Sequence, residues 1–205
     1  MAGVPEPVSR VAELMSTFTP WWALCGGWAV DAWLGEQTRD HADIDIATFA
    51  DDQRAVFEQL AEWNLIAHDA LVDQETRDPW DGRPLVLPAH VHARSDDDLE
   101  LEVLINERSG DGWVLSAEPP IVVPISRTTR GSPWGVRTVV PEILLFYKGT
   151  AYFDDEEMTK RRVHDDMDFG ALLGRLVSTQ RAWLQDAIKM RYPNHPWLER
   201  LSDSP

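Results

Sequence analysis

Apolar residues in the first half of the chain fall into short runs and alternating patterns that are typical of strands. Trp21–Cys25 is an apolar run ended by two glycines, which predicts a buried strand. Polar and aliphatic residues alternate over Ala42–Thr48 and, most regularly, over Leu99–Asn106, so each segment predicts a strand with one face toward the core. Weaker patterns predict further strands at Asn64–Ala67, Leu85–Ala93 and Trp113–Ser116, with turns at Asp81-Gly82 and Ser109–Gly112.

Helical segments are interleaved with these strands. Trp28–Leu34 predicts a two-turn helix that ends at Gly35. Asp51 or Asp52 is expected to cap a second helix, whose apolar face includes Val56.

Beyond Pro141 the pattern is helical throughout. The predicted helices are Glu142–Ala151, about Asp165–Leu176, Ser178–Arg191 and Pro196–Leu201, with an acidic loop at Asp154–Glu157. Strands with interleaved helices, followed by helices alone, predict an α+β fold. We expect a catalytic domain over residues 1–138 and a C-terminal helical subdomain over residues 139–205.

Charge narrows the choice of partners. The 205 residues include 35 acids and 19 Lys or Arg residues, for a formal net charge of −16. Such a surface repels a phosphate backbone, so a nucleic-acid partner is unlikely. It attracts cationic small molecules instead. The alternative is that the charge only keeps the protein in solution.

Cellular location is inferred from what the sequence lacks. A lone cysteine, Cys25, cannot form an internal disulfide, which favours a reducing cytoplasm. The sequence has no apolar run of membrane-spanning length and no evident secretory signal, so we expect a cytoplasmic protein with no membrane partner.

Two strands carry pairs of acids that predict a metal site. Asp43 and Asp45 share one face of their strand, roughly 6.6 Å apart along the backbone, as do Glu100 and Glu102 on theirs. Carboxylates converging from neighbouring strands can bind a pair of Mg²⁺ ions that stabilise an in-line phosphoryl transfer. In isolation, an alternating Asp-x-Asp strand is most often a half-exposed edge strand with a solvated face. Glu100 and Glu102 could likewise be a charged face that protects a sheet edge.

Gly26-Gly27 lies between the first predicted strand and the helix that follows it. Residues without a β-carbon at a helix N-terminus let backbone N–H groups approach a phosphate closely. Paired glycines are more often a plain turn. The order of glycines, helix and alternating acids within one short segment favours the phosphate interpretation.

These segments resemble a known family. Gly26-Gly27-Trp-Ala-Val-Asp31, Leu34-Gly35 and Thr38-Arg-Asp-His-Ala-Asp-Ile-Asp-Ile46 resemble the nucleotidyltransferase superfamily, which has the DNA polymerase β-like fold. More narrowly, they are similar to the aminoglycoside 2''-adenylyltransferase and lincosamide nucleotidyltransferase group. Pro141-Glu-Ile-Leu-Leu-Phe-Tyr-Lys148 and Asp165-Asp-Met-Asp-Phe169 are also similar to that group. The resemblance extends from about Trp22 to Leu201 and implies a mixed sheet flanked by helices.

The resemblance also implies roles for individual residues. Gly26 and Gly27 would contact the nucleotide triphosphate, although many relatives have Gly-Ser there, and Asp43 and Asp45 would bind Mg²⁺. The third carboxylate maps best onto Glu102, as a metal ligand or as general base, with Glu100 as its rival.

Three basic residues near these motifs are candidate phosphate ligands. Arg39 and His41 lie between the helix end and the metal strand, and Arg39 could equally pair with a neighbouring aspartate. Lys148 lies in an otherwise apolar helix, which favours a role in a pocket over a solvated one. The resemblance implies that Asp168 orients Lys148 or lines the substrate cleft. Alternatively, Asp165 and Asp168 could simply stabilise their helix by interacting with the dipole at its N-terminus.

The expected activity is a Mg²⁺-dependent transfer of AMP from ATP to a hydroxyl of a small polar acceptor. An aminoglycoside is favoured by the resemblance and is compatible with the acidic charge. The alternatives are a toxin or regulator that modifies RNA or protein and a nucleotide-binding module without turnover.

Overall fold

Nine strands and seven α-helices make up the described part of the chain, which in this computed structural model comprises residues 3–71, 78–115, 119–151 and 159–202. The strands are β1 (Ala23–Cys25), β2 (Ile44–Phe49), β3 (Asn64–His68), β4 (Ala89–Arg94), β5 (Glu100–Ser109), β6 (Gly112–Leu115), β7 (Ile121–Pro124), β8 (Thr129–Gly131) and β9 (Arg137–Val139). The helices are α1 (Glu6–Leu14), α2 (Gly26–Leu34), α3 (Gln53–Gln59), α4 (Pro141–Thr150), α5 (Thr159–Leu173), α6 (Ser178–Arg191) and α7 (Trp197–Ser202). The predicted α+β class is confirmed.

The strands form one mixed sheet in the order β3-β4-β5-β2-β1-β9-β8. β2 and β5 run parallel, as do β1 and β9, whereas the other pairs are antiparallel. β6 pairs with the far end of β5 and with β7, away from the main path. The predicted hairpin is therefore present, with Ser109 opposite Gly112.

Alternation along the central strands separates the core from the polar face. Ile44 and Ile46 on β2 are buried, as are Leu101, Val103 and Ile105 on β5. The acids between them, Asp45 and Glu102, therefore lie on the opposite face of the sheet, since successive strand side chains alternate. Burial of the aliphatic face thus determines where the carboxylates lie.

Several predicted boundaries differ from those observed. β1 begins at Ala23, and Trp21 before it packs its ring against Phe49 while its backbone carbonyl accepts a hydrogen bond from Oγ1 of Thr48. α2 begins at Gly26 rather than at Trp28, so both glycines belong to the first helical turn.

Two further segments also differ. β4 begins at Ala89, because the preceding residues form a loop anchored by the Asp69 carboxylate, which accepts the backbone N–H of Val86. The Asp52 side chain lies before α3 but makes no capping hydrogen bond, and Asp51 instead pairs with Arg108 at 2.9 Å.

Four elements are not predicted from the sequence: α1 and the short strands β7, β8 and β9. The strands escape prediction because short strands depend on pairing partners that the sequence does not show. α5 begins at Thr159, several residues before the expected start. Ser116 and the acidic loop at residues 154–157 lie outside the described residues.

Within the described ranges, no helix combines the length and the apolar character that crossing a bilayer requires.

Candidate active site

Three carboxylates converge on the polar face of the sheet. Asp45 on β2 lies directly opposite Glu102 on the parallel strand β5, and Asp43 immediately precedes β2. One carboxylate oxygen from each of the three lies within 4.8 Å of the other two. All three residues are half-buried. The structure thus brings together the three acids that the sequence singled out.

Glu100, the rival third acid, has a different partner. Its carboxylate lies 3.2 Å from Nε of Arg94, which also bonds to Asp98 at 2.8 Å. It does not join the cluster of Asp43, Asp45 and Glu102. The geometry therefore favours Glu102 as the acid that acts with the two aspartates.

A divalent cation fits this cluster. Carboxylate oxygens are the ligands that Mg²⁺ prefers, and oxygens around one such ion lie roughly 3–4 Å apart, a separation compatible with three oxygens that all lie within 4.8 Å of one another. Three acids at this distance repel one another, and a cation between them removes that repulsion. The donor set is therefore suited to Mg²⁺.

Gly26 is required where α2 meets the carboxylates. Its φ is +64°, a left-handed conformation that side chains with a β-carbon rarely adopt. A β-carbon at this position would overlap the Asp45 carboxylate oxygen Oδ2. The missing side chain therefore makes room for Asp45 and lets the N-terminus of α2 lie close to the carboxylate cluster.

Gly27 makes room for two candidate phosphate ligands. A β-carbon there would lie 2.5 Å from Nδ1 of His41 and 2.6 Å from Nη2 of Arg39. The segment that leads into β2 thus folds back over the first turn of α2. The side chains of Arg39 and His41 consequently lie beside the first turn of α2, where Gly26 borders Asp45.

Asp31 holds that segment in place and was not singled out by its chemistry in the sequence. It is fully buried on α2 and accepts hydrogen bonds from Oγ1 of Thr38 at 2.5 Å and from Nε2 of His41 at 2.6 Å. Burial raises the pKa of the Asp31 carboxyl, but the bonds from His41 and Thr38 outweigh burial and lower it overall. An acid within an otherwise apolar helix was the signal available in the sequence.

Lys148 and Arg39 meet two buried aspartates of α5. Nζ of Lys148 lies 2.7 Å from Asp168 and 3.1 Å from Asp165, and Nη2 of Arg39 lies 3.4 Å from the same Asp168 oxygen. Burial lowers the pKa of the Lys148 ammonium, but Asp168 and Asp165 together raise it above its ordinary value. Lys148 is therefore charged at neutral pH. Arg39 pairs with a distant buried aspartate, not with a neighbouring one on the surface.

Cys25 lies close to the charged residues of the site, but its thiol stays neutral. It ends β1 directly opposite Asp45. Burial, followed by the charges of Asp45 and Glu102, raises the pKa of the Cys25 thiol well above its usual range, against a smaller opposing effect of Lys148. A neutral thiol is a poor nucleophile, which excludes Cys25 as the attacking group.

The sequence of this region matches a family model. The model, described as aminoglycoside-2''-adenylyltransferase, matches residues 7–119, more than half of the chain. The chain belongs to this family. The matched range contains Gly26, Gly27, Asp43, Asp45 and Glu102, and family membership identifies the chain as a nucleotidyltransferase of the antibiotic-modifying group.

Solved structures share the fold at low sequence identity. The lincosamide antibiotic adenylyltransferase LnuA, bound to lincomycin, is 18% identical with a TM-score of 0.56, covering 83% of this chain and 98% of that one. The solution structure of the antibiotic-resistance factor ANT(2'')-Ia is 15% identical with a TM-score of 0.58, covering 91% of each chain. ANT(2'')-Ia in complex with adenylyl-2''-tobramycin is 13% identical with a TM-score of 0.53, covering 89% and 95%. No curated protein sequence matches the chain significantly.

Proposed function

We propose that this enzyme transfers AMP from ATP to a hydroxyl of a cationic, aminoglycoside-like small molecule, with Mg²⁺ as the metal. The observation that carries the proposal is the convergence of Asp43, Asp45 and Glu102 beside the glycine turn that begins α2. The family match supports an adenylyl transfer, and the lincomycin and tobramycin seen in two solved structures of this fold support a small-molecule acceptor.

Asp43 and Asp45 would bind Mg²⁺, and Glu102 would either complete that site or take the proton from the acceptor hydroxyl as general base. When bound, the metal supplies positive charge to the α-phosphate and to the departing pyrophosphate. The protein contributes chiefly position and electrostatics, as is usual for phosphoryl transfer.

Lys148 would supply a fixed positive charge for the triphosphate. An ammonium has three donors, and Asp165 and Asp168 accept from two of them. The third N–H of the ammonium can then donate a hydrogen bond to a phosphate oxygen. Arg39, His41 and the backbone N–H groups of Gly26 and Gly27 would complete the triphosphate site from α2 and the segment before β2.

A cationic acceptor is favoured by charge. The formal net charge of −16 raises the local concentration of polycations around the protein, and the cluster of Asp43, Asp45 and Glu102 is itself acidic. The cytoplasm, where ATP is available and the lone cysteine stays reduced, is the proposed location. The proposed division into a catalytic domain, residues 1–138, and a helical subdomain, residues 139–205, assigns the metal site to the first and Lys148 to the second.

The test is pyrophosphate release from ATP and Mg²⁺ in the presence of a panel of aminoglycosides and lincosamides. We expect release that depends on one class of acceptor and that is lost in Asp45→Asn but kept in Glu100→Gln. Equal background release with every acceptor would contradict a small-molecule acceptor. Tight Mg²⁺·ATP binding without any release would instead indicate a binding module, and release dependent on RNA or protein would indicate a regulator.

A further inference from the structure

Three histidines lie together on the same sheet face as the carboxylates, one strand further out. His68 on β3 lies directly opposite His90 on β4, and His92 follows two residues later on the same face of β4. Ala89, Val91 and Ala93, which alternate with these histidines, are buried on the opposite face. The sheet register therefore places three imidazoles side by side.

The rings are close enough to act together. The ring centroids of His68 and His90 are 4.9 Å apart, and His92 lies 5.2 Å from His68 and 4.9 Å from His90. One nitrogen of each ring lies within 4.8 Å of the other two. In a tetrahedral zinc site the nitrogens are roughly 3.3 Å apart, since Zn–N bonds are about 2.0–2.1 Å long. Small side-chain rotations would bring the rings to that spacing.

We propose that His68, His90 and His92 form a binding site for a divalent transition metal such as Zn²⁺, separate from the Mg²⁺ site. Imidazole nitrogen is a ligand for zinc, copper and nickel, whereas magnesium prefers carboxylate oxygen. The two clusters on this sheet face thus differ in donor chemistry and select different ions. Three histidines supply three of the four ligands of a tetrahedral zinc site and leave the fourth position for a carboxylate or water.

Glu102 connects the two clusters. It lies directly opposite His92, and its Oε1 is 4.0 Å from Nε2 of His90. It also belongs to the group of Asp43, Asp45 and Glu102. A zinc ion on the histidines lies within reach of the Glu102 carboxylate as fourth ligand. The consequence, which rests on the proposed function, is that zinc draws Glu102 away from the catalytic cluster and inhibits the enzyme.

His68 is positioned by its neighbour in the chain. The Asp69 carboxylate accepts hydrogen bonds from Nη1 of Arg83 at 2.7 Å and from the backbone N–H groups of Leu71 and Val86, both at 3.1 Å. These bonds tie the end of β3 to the loop before β4. They therefore hold His68 beside His90 with little freedom to move apart.

The experiment titrates metal-stripped full-length protein with Zn²⁺ against a chromophoric chelator, so that binding is measured without turnover. We expect one equivalent to bind, and His90→Gln or His92→Gln to weaken binding by more than roughly 100-fold, since even outer-shell changes cost 10–100-fold. His164→Gln, an exposed histidine on α5, is the matched control and should bind zinc like the native chain. Asp45→Asn should also retain zinc, which separates this site from the catalytic one.

A second measurement does not depend on variants. The chain has six histidines, and proton NMR resolves their ring resonances. Zinc should shift three of them, assigned to His68, His90 and His92, and leave the other three in place. Absence of stoichiometric binding, equal binding by every variant, or loss of zinc only in Asp45→Asn would overturn the proposal. Failure of the acceptor assay would leave these results unaffected, because none of them measures adenylyl transfer.

Discussion

The Asp45 carboxylate occupies the space in which a side chain on Gly26 would begin. The two residues come from adjacent elements, and the left-handed φ of +64° at Gly26 is what lets α2 start so close to the acid. Gly26 thus has a structural role at the carboxylate cluster, in addition to the contact with nucleotide that we propose.

Gly26→Ala should therefore impair both stability and turnover. The added β-carbon must displace Asp45 and strain the backbone, so we expect a loss of about 1–3 kcal/mol in the free energy of unfolding and a large loss of kcat. Urea unfolding and pyrophosphate release are the measurements. Gly174→Ala, where a β-carbon would meet nothing within 4 Å, is the control and should behave like the native chain.

Asp43→Asn and Asp45→Asn should each reduce turnover by at least about 1,000-fold, because each removes a charged oxygen ligand from the proposed metal site and magnesium binds carboxylates in preference to amides. Glu102→Gln should show a smaller loss if it completes the metal site. If it acts as general base, the loss of about 100-fold or more should vary with pH. Circular dichroism should show an intact fold in all three variants. Retained activity in both aspartate variants would falsify the metal assignment.

Lys148→Met should destabilise the protein by about 3 kcal/mol or more, because it removes the ammonium that lies between the buried carboxylates of Asp165 and Asp168. The double variant with Asp168→Asn should recover part of that stability but none of the activity. Recovery of both would mean that Lys148 only balances charge and does not bind phosphate.

Because the pKa of Lys148 is raised, its contribution to stability is complete below about pH 10.5 and is lost as pH rises beyond the raised value.

Asp31→Asn should loosen the segment between α2 and β2 while keeping the side-chain volume. An amide cannot accept from Thr38 and His41 as a carboxylate does, so we expect a loss of about 1–3 kcal/mol in stability. We also expect reduced kcat, since Asp43 ends that segment. Unfolding and steady-state kinetics measure the two effects, and unchanged values in both would contradict the positioning role. Asp40→Asn, a nearby exposed acid, is the control.

Acid stability should depend on Asp69. The hydrogen bond from Arg83, against the opposing effect of burial, lowers the pKa of the Asp69 carboxyl from 3.8 to about 2. The bonded carboxylate therefore stabilises the fold fully above about pH 4. This contribution is lost as pH falls through about 2.

Asp69→Asn should consequently be less stable than the native chain at pH 7, by about 1–3 kcal/mol, and the difference should vanish near pH 2. Unfolding followed across this pH range is the measurement. Asp96→Asn, at an exposed position, should show no such difference. A destabilisation by Asp69→Asn that stays constant with pH would exclude the ion pair as its cause.

Local pattern was sufficient for the parts of the fold that depend on neighbouring residues. Alternation placed Asp45 and Glu102 opposite the aliphatic face of their strands, because burying that face leaves only one orientation. The order of glycines, helix and acids was sufficient to identify the family. The short strands and the exact ends of the elements could not be predicted from the sequence, because pairing partners and packing decide them.

The site itself was decided by contacts between residues far apart in the chain. The parallel register of β2 and β5 selects Glu102 over Glu100, and the packing of α5 gives Lys148 and Arg39 their shared partner Asp168. The three histidines carried no recognisable motif, and only the order β3-β4-β5 brings them beside Glu102. The sequence by itself determined which chemical groups are present and which face of each strand carries them. Their distances from one another were decided by sheet order and register, which depend on the packing of the whole core.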